Sequence, residues 1–293
     1  MALVQAACLY EGGHTEIHHD GGVGLVVPWW SFTKTILAAA ALGLVERGRL
    51  SLDEAFPGKP YTLRQLLGHR AGLPDYGGIP DYHQAVKRGD APWNRAEFMS
   101  RTEAERLRYP PGDGWAYSNI GYLLVAEAVE RGADEALPEA LEHLVFGPLG
   151  ATAKVAMTPE DLAGVEMGAD MGYHPGWVAH HLVVGTPGSA ARVLHGLMTD
   201  GLLLPESLAA MTQAHPLPGS EYPPFAMAAY GLGLMAPLTD RGWPAFGHTG
   251  NGPDSEIAVY HAVLEGRART AAVFHAQGDS DAETLAVDLL AMA

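Results

Sequence analysis

The chain is predicted to fold as an α+β protein. One antiparallel sheet is built from both chain ends, flanked by helices, and a mostly helical region is inserted between them. Three observations predict this. Period-two alternation marks residues 2–10 and 15–19 near the start and 229–237, 243–249, 255–264 and 268–276 near the end. Residues 61–190 are instead rich in helical periodicity and Pro/Gly turns. A long apolar run, Thr35 to Val45, follows Ser31-Phe32-Thr33-Lys34 and is apolar on nearly every side, which marks a buried central helix. Strands at both ends with helices between them make residues 1–60 and 191–293 a discontinuous sheet domain. Residues 61–190 form the inserted domain, with the active site between the two.

The elements follow in order. Glu11-Gly12-Gly13 joins the first two strands as a hairpin. The helix opening at Ser31 ends near Arg47-Gly48, with Gly48 as a left-handed cap. Ser51-Leu52-Asp53-Glu54 and Thr62-Leu63-Arg64-Gln65 are capping-box patterns that predict two short helices. Gly121 to Glu130 reads as an amphipathic helix, and Thr158-Pro159-Glu160-Asp161 starts another. Leu264-Glu265-Gly266 is a hairpin turn between the last two strands, and Asp281 to Met292 closes the chain as a helix.

Composition bounds the partners. With 293 residues, 47% apolar and 18% charged, the chain has ample core for one large domain or two interleaved ones. A formal net charge of −16, spread along the chain, argues against nucleic acid and anionic membrane. The single cysteine, Cys8, sits in an apolar strand pattern and reads as a small core residue. The first residues lack a basic stretch followed by an apolar one, and no charge-free run reaches membrane-spanning length, so a cytoplasmic location is expected.

Three clusters carry chemistry. Ser31 and Lys34 lie three apart at a helix start, so they share a face and the amine can reach the hydroxyl. A buried lysine loses its proton readily and can then act as a base toward serine. The alternative is that Ser31 is a helix cap. Tyr117 and Asn119 lie two apart in a loop after Pro110-Pro111-Gly112, so in an extended segment they point the same way. A phenol beside a lysine can have its pKa lowered and can carry protons. Here the alternative is Asn119 capping the Gly121 helix over a packed Tyr117. His248-Thr249-Gly250 ends a strand whose edge could hold an acyl substrate, or simply makes a turn with Asn251-Gly252-Pro253.

Taken together and in this order, Ser31-x-x-Lys34, Tyr117-x-Asn119 and His248-Thr249-Gly250 resemble the serine β-lactamase and penicillin-binding protein superfamily. The likeness is to its class C branch with the related family VIII-type esterases, D-aminopeptidases and DD-peptidases. Leu66 to Tyr76 is similar to the family's "LLxHxSGLPxY" segment, Tyr109-Pro110-Pro111-Gly112 and Tyr117-Ser118-Asn119 to its "PG…YSN", and Tyr230-Gly231-Leu232-Gly233 to its "YGLG". The resemblance implies a β-lactamase-like fold and a serine acyl hydrolase that needs no cofactor or metal. It would act on small esters or amides, with weak β-lactam hydrolysis as a side activity. A D-amino-acid peptidase or DD-peptidase is the alternative, and a non-catalytic binding protein on the same scaffold is an alternative of another class. By the same resemblance Ser31 would be the nucleophile, Lys34 its base and Tyr117 the proton shuttle. Asn119 would bind substrate or Lys34, and the backbone N–H groups of Ser31 and Asn251 would form the oxyanion hole. His248 stands where most β-lactamases have lysine. It would be only partly charged at neutral pH, which weakens the case for a substrate carboxylate.

Other residues carry weaker signals. His14, Glu16 and His18 superficially resemble a zinc motif, but the glutamate is misplaced and the segment reads as turn and strand. His180-His181 falls in a Pro/Gly-rich stretch that the resemblance places near the pocket, where a rim role is the minor reading, and Trp29 and Trp30 are expected to pack in the core, with pocket lining as the second reading. The chain has no Gly-Lys-Ser loop, Rossmann fingerprint or Gly-x-Ser-x-Gly elbow.

Overall fold

A computed structural model describes residues 3–10, 13–19, 24–168, 172–276 and 281–292. Its main sheet has five antiparallel strands drawn from the two chain ends. Their spatial order is Gly13–His19, Leu3–Tyr10, Arg267–Ala276, Ser255–Leu264 and Phe246–Gly252. The two central strands are buried on both faces, and side-chain alternation divides them between two cores. Ala258 pairs with Val273 and Tyr260 with Ala271, and these four and Ala262 lie on one face, against the C-terminal helix Ala282–Met292. Cys8 belongs to that core and is buried, as its strand pattern predicts. Ile257, Val259, Ala272 and Phe274 face the other way. That larger core is organised around the helix Thr33–Glu46, in which Thr33, Lys34 and Thr35 are all 0% exposed.

Helices Asn119–Ala133 and Pro187–Thr199 pack on the same side. Residues 182–185 form a short strand that pairs with Val27–Pro28 just before the central helix and with Ala153–Ala156 on its other edge. This small sheet ties the middle of the chain to the segment carrying Ser31.

Several predicted elements differ in detail. Ser51 accepts from the Glu54 N–H at 3.1 Å but only a bend results, because no helix follows. The Thr62 box is formed with Gln65 and starts helix Leu63–Leu67. Thr158 caps a 3-10 turn, Pro159–Leu162, rather than an α-helix. The strand expected over 229–237 is instead Phe225–Tyr230, since Gly233 at φ +79° turns the chain sharply against the central helix. The strand expected over 243–249 starts later and runs through to Gly252. The Glu11-Gly12 turn lies outside the described residues, as do the side chains of His14, Glu16 and His18.

Candidate active site

Ser31 is not a helix cap. It sits in a 3-10 turn, Trp30–Phe32, and the helix proper begins at Thr33 with no side-chain cap. The turn is held from both sides. Trp29 donates through its backbone to Val183 O at 2.8 Å and through its indole to Gly185 O at 3.2 Å. Val183 N–H returns a bond to Thr33 Oγ1 at 3.1 Å. Trp30 is forced to φ +40°, a costly conformation for a bulky residue. Its indole N–H is anchored on Ser255 Oγ at 3.0 Å. The surrounding clamp thus presents Ser31 Oγ outward at a strained corner.

Strand Phe246–Gly252 passes directly over this corner. A β-carbon on Gly250 would lie 2.6 Å from Ser31 N, and one on Gly252 would lie 2.2 Å from the Trp30 ring. Only glycine permits this approach at both positions. Gly250→Ala is therefore expected to push the strand off the nucleophile and lower kcat/KM at least about tenfold. The comparison is made on protein whose circular dichroism matches the wild type, and an unchanged kcat/KM would contradict it.

Tyr117 and Asn119 reach the corner from the opposite side. Ser118 is extended (φ −145°, ψ 112°), so its neighbours point the same way, as their spacing predicts. Ser118, not Asn119, caps the following helix, accepting from Gly121 N–H at 3.0 Å. This leaves the Asn119 side chain free for Lys34. The loop is fixed by His69 and Asp75: His69 Nδ1 accepts from Ser118 N–H at 3.1 Å, and Asp75 Oδ1 from Asn119 N–H at 2.7 Å. His69 and Asp75 lie in the Leu66–Tyr76 segment singled out in the sequence.

The resulting geometry is a close polar cluster. Lys34 Nζ is 3.0 Å from Ser31 Oγ, 2.7 Å from Asn119 Oδ1 and 3.0 Å from His180 Nε2. Tyr117 donates to Ser31 Oγ at 2.8 Å. Burial drives the Lys34 pKa well down, opposed in part by Asp75. The His180 pKa is also driven well down, by burial first and by Lys34 second. Tyr117 moves opposite to the sequence expectation. Burial and the charge of Asp75 raise its pKa, and the bond to Ser31 only partly offsets this. It is therefore a neutral phenol in the resting enzyme, set to donate a proton.

His180 is 2% exposed and lies at the floor against Lys34, not at the rim. The short strand 182–185 sets its position, and no local sequence signal encodes that tertiary pairing.

His248 is also buried, and its pKa falls to about 3 through burial and the proximity of Lys34. It is uncharged at neutral pH rather than partly charged. Its Nδ1 lies 2.7 Å from Thr249 O, which can only accept, so Nδ1 carries the proton and Nε2 accepts from the Tyr230 hydroxyl at 3.0 Å. Thr249 Oγ1 donates to Glu283 Oε1 and lies 2.8 Å from the Tyr260 hydroxyl. Nothing in the sequence flags Glu283, which arrives on the first turn of the C-terminal helix.

Burial raises the Glu283 pKa from 4.5 to about 7. Because the folded value is the higher one, the resulting stability is complete below pH 4.5 and is lost as pH rises through about 7. Wild type should accordingly lose roughly 3 kcal/mol relative to Glu283→Gln across that window. Urea midpoints of both proteins at several pH values would show it, and a constant difference would contradict it.

Two clefts open onto Ser31. One, of about 510 Å³, is walled by Trp30, Tyr76, Tyr82, Val86, Tyr173 and Val178, with Asn119, His180 and Asn251 near Ser31. The other, of about 380 Å³, is walled by Tyr117, Tyr222, Tyr230, His248, Thr249 and Glu283, and Asn251 borders it too. Predicted residues Ser31, Lys34, Tyr117, Asn119, His248, Thr249, Gly250 and Asn251 thus all converge on one corner.

The chain is similar to known proteins. The chain is 32% identical over 162 residues to "Penicillin-binding protein 4*" of Bacillus subtilis (strain 168), covering 48% of this chain and 35% of that protein. It is 31% identical over 140 residues to "Esterase EstB" of Burkholderia gladioli, covering 41% of this chain and 36% of that protein. The matched parts therefore span only about a third of these curated relatives. In fold it is similar to a D-stereospecific amidohydrolase from Streptomyces sp., with TM-score 0.79 and 20% identity over 97% of this chain and 92% of that one. A profile of the family described as Beta-lactamase matches residues 6–293, and the chain belongs to that family.

Proposed function

We propose that the protein is a serine acyl hydrolase that acts on small esters or amides through an acyl-Ser31 intermediate. The observation that carries this reading is the contact of Ser31 Oγ with a depressed lysine on one side and a phenol donor on the other.

The hydrogen bonds assign the roles. A neutral Lys34 has two N–H groups and one lone pair. Asn119 Oδ1 takes one N–H. His180 Nε2 takes the other, in the tautomer with its proton on Nδ1. The lone pair is left for the Ser31 hydroxyl. Ser31 passes its proton to Lys34 as Oγ attacks the acyl carbon. Tyr117 donates its proton to the departing atom and recovers one from Lys34. In deacylation the same groups run in reverse with water as the nucleophile. The N–H groups of Ser31 and Asn251 are assigned to the oxyanion, supported by the passage of Gly250 against Ser31 N and by the place of Asn251 on both clefts. In this reading residues 1–60 and 191–293 are a discontinuous sheet domain with its flanking helices, residues 61–190 are the mostly helical insert, and the active site lies between them.

His180→Gln should keep an acceptor near Lys34 and retain most activity, whereas His180→Leu should lower kcat by about tenfold or more. Equal rates in both would remove His180 from the base assembly.

The alternative, a peptidase for D-amino-acid substrates, has the amidohydrolase likeness in its favour at the level of fold. Matched p-nitrophenyl esters, D-alanyl peptides and a penicillin, assayed side by side, separate the readings. Faster ester turnover supports the proposal, and turnover confined to D-alanyl peptides would replace it.

A further inference from the structure

We propose that the cleft on the Tyr117 side of Ser31 receives a leaving group carrying a cation such as an ammonium, held by Glu283, and turns away leaving groups that carry a carboxylate. This rests on the acyl-transfer reading, since it concerns the group that departs.

Geometry decides which cleft takes which part of the substrate. Tyr117 contacts Ser31 Oγ and walls the smaller cleft, not the larger one. A leaving atom protonated by Tyr117 must depart on that side. The acyl chain then occupies the larger cleft among Trp30, Tyr76, Tyr82 and Tyr173. As the Ser31 Oγ–acyl bond forms, the bond from acyl carbon to leaving atom breaks. The Ser31 proton goes to Lys34, the Tyr117 proton goes to the leaving atom, and the neutral alcohol, thiol or amine departs with its cationic tail.

The chemistry of the smaller cleft follows from its walls. Glu283 Oε1 is held by Thr249, by the Tyr222 hydroxyl at 3.2 Å and by the Tyr260 hydroxyl at 3.4 Å. Among the described residues, the charged groups that act on its carboxyl are Glu256 and Asp281, both acidic. Among the described residues no lysine or arginine lines the cleft, and His248 is neutral. A carboxylate there would face another carboxyl with no counter-charge in a half-buried site. An ammonium would pair with Glu283, drawing it to its ionised form, and would lie against the rings of Trp115, Tyr117, Tyr222 and Tyr230.

The test uses thioesters of one acyl group, phenylacetyl, with three thiols: thiocholine, 2-mercaptoethanol and 3-mercaptopropionate. Thiol release gives kcat/KM, which reports steps through acylation. The expected order is cationic, neutral, anionic, with the first exceeding the last on the order of 10-fold or more. The ratio should shrink with added salt and fall toward one in Glu283→Gln. The wild-type ratio and its salt dependence decide the matter even if that variant does not fold. Turnover without preference, or preference for the carboxylate, would overturn the cleft assignment alone. A ratio unchanged in folded Glu283→Gln would overturn the role of Glu283. No turnover of any thioester, with no acyl group on Ser31 by mass, would overturn the acyl-transfer reading and this proposal with it.

Discussion

Lys34→Ala is expected to slow acylation of Ser31 by about 10²–10⁴. Lys34 is the one group in contact with Ser31 Oγ whose environment favours an unprotonated nitrogen. Burial makes its ammonium form costly, so a free amine persists at neutral pH, and acylation should fail as pH drops far enough to restore the proton. Lys34→Arg is the sharper control. Guanidinium keeps hydrogen bonds toward Asn119 and His180 but cannot give up a proton under these conditions. It should be as slow as the alanine variant. A rapid burst from Lys34→Arg with a p-nitrophenyl ester would show that charge or shape, not basicity, is what Ser31 requires.

Tyr117→Phe is expected to lose about two decades or more on an amide and markedly less on a p-nitrophenyl ester. The difference arises from the leaving group. An amine must gain a proton to depart, whereas p-nitrophenolate leaves without one. The phenol is protonated because burial and Asp75 hold its pKa up, so it is suited to donate. Comparing kcat/KM on an ester and an anilide of the same acid would reveal the contrast. Equal losses on both would mean that Tyr117 positions Ser31 rather than supplying a proton.

Much of this site was legible in the sequence because its three clusters are local. The three-residue spacing of Ser31 and Lys34 on a helical segment, and the two-residue spacing of Tyr117 and Asn119 on an extended one, each fix a shared direction without knowledge of the fold. The sheet from both chain ends was legible for a similar reason, since short apolar runs bounded by turn residues mark strands locally along residues 3–10 and 255–276. What escaped was set by tertiary contact. His180 reaches Lys34 because strand 182–185 pairs beside the nucleophile turn. Glu283 reaches Thr249 because the C-terminal helix packs over strands 255–264 and 267–276, next to the strand that carries Thr249. The direction of the Tyr117 shift was misjudged because a nearby lysine lowers a phenol pKa only if it is charged, and burial keeps Lys34 from being so. His248 likewise carries no charge at neutral pH, because burial is the main cause that lowers its pKa.

The most direct measurement is the intact mass of the protein after treatment with a fluorophosphonate. One phosphonyl adduct on the wild type, localised by peptide mapping to Ser31 and missing from Ser31→Ala, is the predicted result. No adduct on the wild type, or the same adduct on Ser31→Ala, would contradict Ser31 as the nucleophile.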